Sequence, residues 1–194
     1  IGPLTHPDPD EEARHFNDAM SGGYKALDQL RRAGDIKAIG IGVNEIDVSM
    51  RALDHGDWDV FLLAGRYTLL EQDSLDELLP KCAAQSVRIV IGGPFNSGIL
   101  VGGTTWNYET APAEIVDRAR RLNEVCAAHN VPLPAAALKF PLAHASVASV
   151  IPGVRTPKEF SQMMAWWQTD IPASLWTDLK SAGLIREDAP LPQS

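Results

Sequence analysis

Apolar residues return along this chain in two rhythms. Short runs are apolar at nearly every position, and between them lie longer stretches where apolar residues recur every three or four positions. The first rhythm belongs to strands covered on both faces, the second to helices with one covered side. Residues 36–43, 58–63, 87–91 and 147–151 are the strand-like runs. Met20, Tyr24, Leu27 and Leu30 mark a helix that Gly34 stops. A helix over 44–55 has Asn44 as its cap and Gly56 as its end, and one over 74–85 opens on the capping box Ser74-Leu-Asp-Glu77. The spacing of Ile115, Ala119, Leu122 and Cys126 predicts a helix over 114–129, and another follows Pro134. Thr156-Pro-Lys-Glu159 combines a capping box with proline at the first helical position, and the last helix runs from Pro172 to Gly183. Residues 1–11, rich in Pro and Asp, and the glycine-rich stretch 92–111 read as loops, and 187–194 reads as a loose tail.

The sum is one helix and then four strand–helix units. Strands apolar on both faces belong to parallel sheets sheathed by helices, which a doubly wound sheet and a (β/α)8 TIM barrel both satisfy. Four units are half of an eightfold barrel. No internal boundary or repeat is visible, so 1–194 is expected to be a single, incomplete α/β domain. The chain opens on Ile1 rather than Met, which leads to the expectation that it is a processed, truncated or partial product. A hydrophobic fraction of 45% and a charged fraction of 22% are ordinary for a globular chain. The formal charge of −8 argues against a nucleic-acid surface. No run approaches the roughly 20 apolar residues of a membrane span, and no signal-peptide pattern is seen. Cys82 and Cys126 stand apart, without a CxxC pattern or a Cys/His cluster, and read as buried thiols in a reducing, cytoplasmic setting rather than as metal ligands.

Gly40-Ile-Gly42 resembles the start of a dinucleotide fingerprint, but position 45, where the third glycine would stand, is Glu45. Glycines giving room near a strand end is the better reading. Polar and glycine residues instead collect after each strand: Asn44; Gly65, Arg66 and Tyr67; Gly92-Gly-Pro-Phe-Asn-Ser-Gly98; and Pro152-Gly-Val-Arg-Thr156. That is the face on which barrel enzymes build their sites. A hydrolase would need paired carboxylates there, and Glu45 is the only one near a strand end that this reading considers.

Those segments, together with Phe61-Leu-Leu-Ala-Gly-Arg-Tyr-Thr-Leu-Leu-Glu-Gln72, Ile99-Leu100 and the ending Trp176…Leu179…Gly183-Leu-Ile185, resemble the aldo-keto reductases in the same order. Within that family they are most similar to the D-threo-aldose (L-fucose) and pyridoxal 4-dehydrogenases. The resemblance runs from about Ala13 to Leu184. It implies a (β/α)8 barrel, of which this chain is the C-terminal half, that binds NAD or NADP without a Rossmann fold. Hydride would pass between the nicotinamide and a small-molecule aldose, alcohol or aldehyde. It also implies that the catalytic Asp, Tyr, Lys and His come from the first four strands, a missing N-terminal half, so no catalytic residue is assigned here. His6, in the Pro/Asp loop, is a poor substitute. A truncated, non-catalytic half-barrel or interaction domain is the alternative.

On the cofactor side, Asn44 matches the position that holds the nicotinamide carboxamide, and an amide offers both donor and acceptor. Gly93, Pro94, Phe95, Asn96, Ser97 and Gly98 match the pyrophosphate-side loop, with Asn96 and Ser97 expected to add side-chain donors. Gly153, Arg155 and Thr156 open the last barrel helix, where an anion is suited, and Gln162 matches an adenine contact. Gly92 replaces a frequent stacking ring, Ala64 a frequent Gln, and Met163 a frequent Asn. Glu159 stands where NADP-preferring members often carry Arg, which tips the expectation slightly toward NAD. Glu159 is equally explained as part of the capping box. Thr104-Thr-Trp106-Asn-Tyr108 is one contributor to substrate choice.

Overall fold

The computed structural model describes Gly2 and residues 7–193; His6 lies outside the described residues. Its centre is a sheet of four parallel strands: β1 (Gly40–Val43), β2 (Val60–Ala64), β3 (Arg88–Gly92) and, after a hairpin of β4 (Thr105–Trp106) and β5 (Glu109–Thr110), β6 (Val147–Ile151). The spatial order is β1-β2-β3-β6, with no crossing back. Ile41 lies opposite Phe61, Phe61 opposite Ile89, and Ile91 opposite Val150. The four expected strands are thus present, in parallel. β1 is only the last half of its apolar run, because Asp59 intervenes. The Asp59 carboxylate accepts the Ile39 N–H at 2.7 Å and the Arg31 guanidinium at 2.7 Å, so the backbone there bonds to a side chain before the ladder begins.

Phe61, Leu63, Ile89 and Ile91 are fully buried. They pack on α3 (Ile46–His55), α4 (Leu78–Ala84), α5 (Ala113–Ala128), α6 (Leu133–Lys139) and α8 (Ala173–Ser181), whose core residues include Ala52, Leu79, Cys126, Ala136 and Trp176. Residues between them in register point the other way, and Leu62 is 38% and Ile151 51% exposed. Only one face of the sheet is covered by the described residues. A doubly wound sheet needs helices on both faces, so that alternative is set aside. On the helix-covered side of β6, Val154, Phe160, Met164 and Trp167 are exposed around a groove of about 530 Å³ between α6 and α7 (Pro157–Gln168), which Val150 and Leu138 also line.

Several local expectations are corrected. α1 (Pro9–Asp18) starts inside the expected loop 1–11: Asp8 caps it by accepting the Asp10 and Glu11 N–H groups, Pro9 sits in its first turn, and Asp10, Glu11 and Glu12 favour the helix N-terminus. A π-helical turn, Ala19–Tyr24, joins it to α2 (Lys25–Ala33). Asn44 does not cap α3, which starts at Ile46 after Glu45, and Gly56 is extended rather than left-handed. The box at Ser74 does not form, because the Ser74 hydroxyl donates to the Arg66 carbonyl at 2.8 Å and α4 starts later. The stretch 92–111 holds a 3-10 segment, Asn96–Val101, and the β4–β5 hairpin. The tail is held rather than loose: Ala189 is buried, the Arg186 N–H donates to Gln72 at 2.9 Å, and Arg186 pairs with Asp76 and Asp188. Among the described residues no helix is long and apolar enough to cross a membrane.

The glycines of β1 answer different needs. A Cβ on Gly40 would stand 1.8 Å from the Val60 carbonyl oxygen, whereas one on Gly42 would meet Leu62 Cβ at an ordinary 3.8 Å. Gly40→Ala is therefore expected to cost about 3 kcal/mol or more by forcing β1 away from β2, and Gly42→Ala to stay within about 1 kcal/mol. Urea unfolding of the two variants checks this, and equal losses would contradict it.

Candidate cofactor site

Parallel pairing brings the C-terminal ends of the four strands to one side. Asn44 leaves β1 there, Gly65 and Arg66 leave β2, residues 93–98 leave β3, and Gly153 follows β6. Two spaces adjoin at Gly93 and Ser97. The larger, about 460 Å³, lies between the 93–98 loop and the first turns of α7, and is lined by nine of the expected residues: Gly93, Pro94, Phe95, Ser97, Gly98, Gly153, Arg155, Glu159 and Gln162. The smaller, about 110 Å³, includes Asn44 and Asn96. Thr156 lines neither; it is the cap of α7, its hydroxyl accepting the Glu159 N–H at 3.2 Å.

The groove exposes backbone on both of its walls. Cβ atoms on Gly98 and Gly153 would meet nothing within 4 Å, so the backbone is open to a ligand on both walls. Asn96, Ser97 and Gly98 are consecutive left-handed residues (φ 46°, 59° and 103°), which curl the loop tightly. Glu159, Gln162, Met163 and Trp166 share one face of α7, and Trp166 meets Phe95 edge-on at 5.9 Å. Glu159 accepts the Arg155 N–H at 2.7 Å and its guanidinium at 3.2 Å. The Arg155 N–H holds the Glu159 carboxyl below the usual range, against a smaller opposing effect of burial, and the guanidinium adds to the lowering. Glu159 is thus ionised at neutral pH and already partnered by Arg155.

Two expectations change here. Asn96 was expected to donate to a ligand, but its NH2 group donates to the Gly65 carbonyl at 3.2 Å and to Glu71 Oε1 at 3.0 Å. Both partners are pure acceptors, so the amide must face them with its nitrogen. The Ser97 hydroxyl accepts the Tyr108 N–H at 3.1 Å and keeps its own proton to give. Tyr67, which follows β2, is not at the site. It is fully buried between Phe140 and His144, and burial with the Asp188 charge pushes its phenol up.

Sequence reasoning passed over Glu71. It takes the Arg66 guanidinium at 2.8 Å on Oε2, and Asn96 and the Trp106 indole N–H at 3.0 and 2.9 Å on Oε1. Arg66 also donates to the Asn44 carbonyl and to Asn107, each at 2.8 Å. The available signal was an Arg and a Glu five apart, straddling Leu69 and Leu70, just past a strand end. With both oxygens engaged, Glu71 is no free acid, and the hydrolase reading gains no carboxylate pair. Among the described residues no group of three or more His, Cys, Asp or Glu could hold a metal. Cys82 and Cys126 are buried free thiols, pushed up by burial to about 11 (against a small opposing pull from Lys81) and about 12.

A parallel sheet with its helices on one face and cavities at its strand ends fits a (β/α)8-type fold, and the comparisons agree. Residues 4–183 match the model of the aldo/keto reductase family, and the chain belongs to that family. It is 46% identical over 190 residues to a pyridoxal 4-dehydrogenase of Microbacterium luteolum, covering 95% of this chain and 55% of the relative. It is 40% identical over 181 residues to a D-threo-aldose 1-dehydrogenase of Pseudomonas sp, covering 91% and 55%. An aldo-keto reductase structure from Bacillus halodurans superposes with a TM-score of 0.64 at 20% identity, over 96% of this chain and 60% of that one. One from Klebsiella pneumoniae, solved with NADP and acetate, superposes at 0.58 and 15% identity, over 90% and 56%. The chain spans about 55% of the length of the curated relatives it matches.

Proposed function

We propose that this chain is the cofactor-binding side of an NAD(P)-dependent oxidoreductase that acts on an aldose or small aldehyde. The observation that carries the reading is the groove between the 93–98 loop and α7, which gathers nine residues matched to cofactor positions. When bound, a nicotinamide dinucleotide would supply hydride exchange with the substrate carbon. The chain's own residues have the binding work: Ser97 gives a hydroxyl donor toward the phosphates, and the start of α7 favours the anionic end. Gln162 and Trp166 flank the adenosine end. Relatives named for pyridoxal and for D-threo-aldose support an aldehyde or aldose substrate.

The barrel part of the proposal is that four further strands close the sheet, cover Leu62 and Ile151, and carry the catalytic groups. Exposed parallel edges and apolar faces are otherwise prone to association. Sedimentation of the 194-residue chain alone should show concentration-dependent association. A monomer that unfolds cooperatively would contradict this.

Between the two dinucleotides, Glu159 favours NAD. Its carboxylate is ionised, lies in the groove, and already engages the Arg155 guanidinium, which a 2′-phosphate could otherwise use. In the intact enzyme, NAD is expected to be used at least as well as NADP, and Glu159→Arg should move the kcat/KM ratio toward NADP by about tenfold or more. A wild type that strongly prefers NADP, or a ratio unmoved by the substitution, would leave Glu159 as a helix cap only.

A further inference from the structure

Asn96, which lines the smaller cavity at the strand ends, carries a buried oxygen without a partner. Asn96 is 3% exposed, and with its NH2 committed to Gly65 and Glu71 its Oδ1 has no hydrogen-bond partner. A buried acceptor left unpaired costs on the order of 1–3 kcal/mol, so it signals a missing donor. The residue lines the cavity of about 110 Å³ beside Asn44. Glu71 lies beneath, 17% exposed, and binds one donor from each of three segments: Arg66 after β2, Asn96 in the loop after β3, and Trp106 in β4. Arg66 and the Trp106 indole have no acceptor to offer in return.

We propose that Glu71 is a positioning residue that turns the Asn96 amide, so that at Asn96 the cavity offers an acceptor to a hydroxyl or amide N–H of the ligand and no donor to phosphate. The inference rests on the cofactor-binding reading and specifies this part of the site. A carboxylate at 71 dictates the amide's orientation, since a reversed Asn96 would set its oxygen against both Glu71 and the Gly65 carbonyl. The same carboxylate fixes the hairpin through Trp106. At the hairpin's tip Asn107 and Tyr108 are both left-handed (φ 48° and 68°), and both line the cavity. Asn107 is held by Arg66 at 2.8 Å, and the Tyr108 hydroxyl meets the Asn44 amide at 3.4 Å. The wall around the acceptor thus includes Asn44 and Asn107, both of which Glu71 holds through Arg66. The donor it receives belongs either to the nicotinamide ribose or carboxamide, or to an aldose hydroxyl.

Calorimetry on the intact protein separates these sources, using NAD, D-xylose as an aldose, and inorganic phosphate as probes. Asn96→Gly removes the acceptor without strain at a positive φ. Glu71→Gln keeps its one oxygen on the Arg66 guanidinium and turns an NH2 toward Asn96 and Trp106, so the Asn96 amide loses the acceptor that sets its orientation. Both variants should weaken the same probe, NAD or D-xylose, about tenfold, with phosphate affinity unchanged. In turnover, KM for the weakened ligand rises while kcat stays within about twofold. Trp106→Phe, which removes one hydrogen bond and no charge, should weaken the same probe about threefold, and it decides the matter if Glu71→Gln does not fold. The inference is overturned if NAD and D-xylose both bind the Asn96 variant within twofold of wild type, if phosphate affinity falls with them, or if the Glu71 and Trp106 variants change nothing. A wild type that binds neither NAD nor NADP overturns the cofactor reading itself, and this inference with it.

Discussion

In a parallel sheet every strand departs at the same end, and the functional geometry of this chain follows from that constraint. Pairing of β1 with β2, β2 with β3 and β3 with β6 sets Asn44, Gly65, Gly93 and Gly153 along one rim, although they are scattered over more than a hundred positions of sequence. The helices need only cover the opposite turns and one face. Antiparallel pairing would send half of these residues to the far end and leave no shared site.

Each end of the sheet is tied by a carboxylate–guanidinium pair that also bonds elsewhere. At the entry end, Asp59 joins Arg31 of α2 to the backbone of Ile39. At the exit end, Glu71 joins Arg66 to the loop after β3 and to the hairpin. A partly buried pair is a weak source of net stability, but removing one partner leaves the other's hydrogen bonds unmade. Such pairs specify position. The Asp59 pair fixes where the ladder starts, and the Glu71 pair fixes how the loops at the strand ends leave it. Between them the core is apolar, with Phe61, Leu63, Ile89 and Ile91 on the helices and no polar side chain within that row.

The strands were legible because four apolar runs carry no competing pattern, and the α7 start because Thr156, Pro157 and Glu159 agree on one position. Where the reading failed, a side chain had a tertiary use that local spacing does not record. Ser74 serves Arg66 instead of a helix, and Asp8 with Pro9 starts a helix inside a stretch that composition marks as loop. Of the residues expected at a cofactor, all but Thr156 line the two cavities at the strand ends, since strand ends are visible in sequence. The role of Asn96 was not legible, because it depends on Glu71, which is 25 positions away and joined to it only by folding. Apolar patterning on both strand faces was read as burial on both, whereas Leu62 and Ile151 lie uncovered by the described residues.

The central claim is that one dinucleotide spans the strand ends, from Asn44 past the 93–98 loop to the first turns of α7. Hydrogen exchange of the intact protein, followed by mass spectrometry with and without saturating NAD, tests it most directly. The account predicts slowed exchange in peptides covering residues 43–45, 93–98 and 153–162 together, with the α5–α6 turn at 129–132 unchanged. Protection absent from these segments, or confined to a surface away from the strand ends, would contradict it.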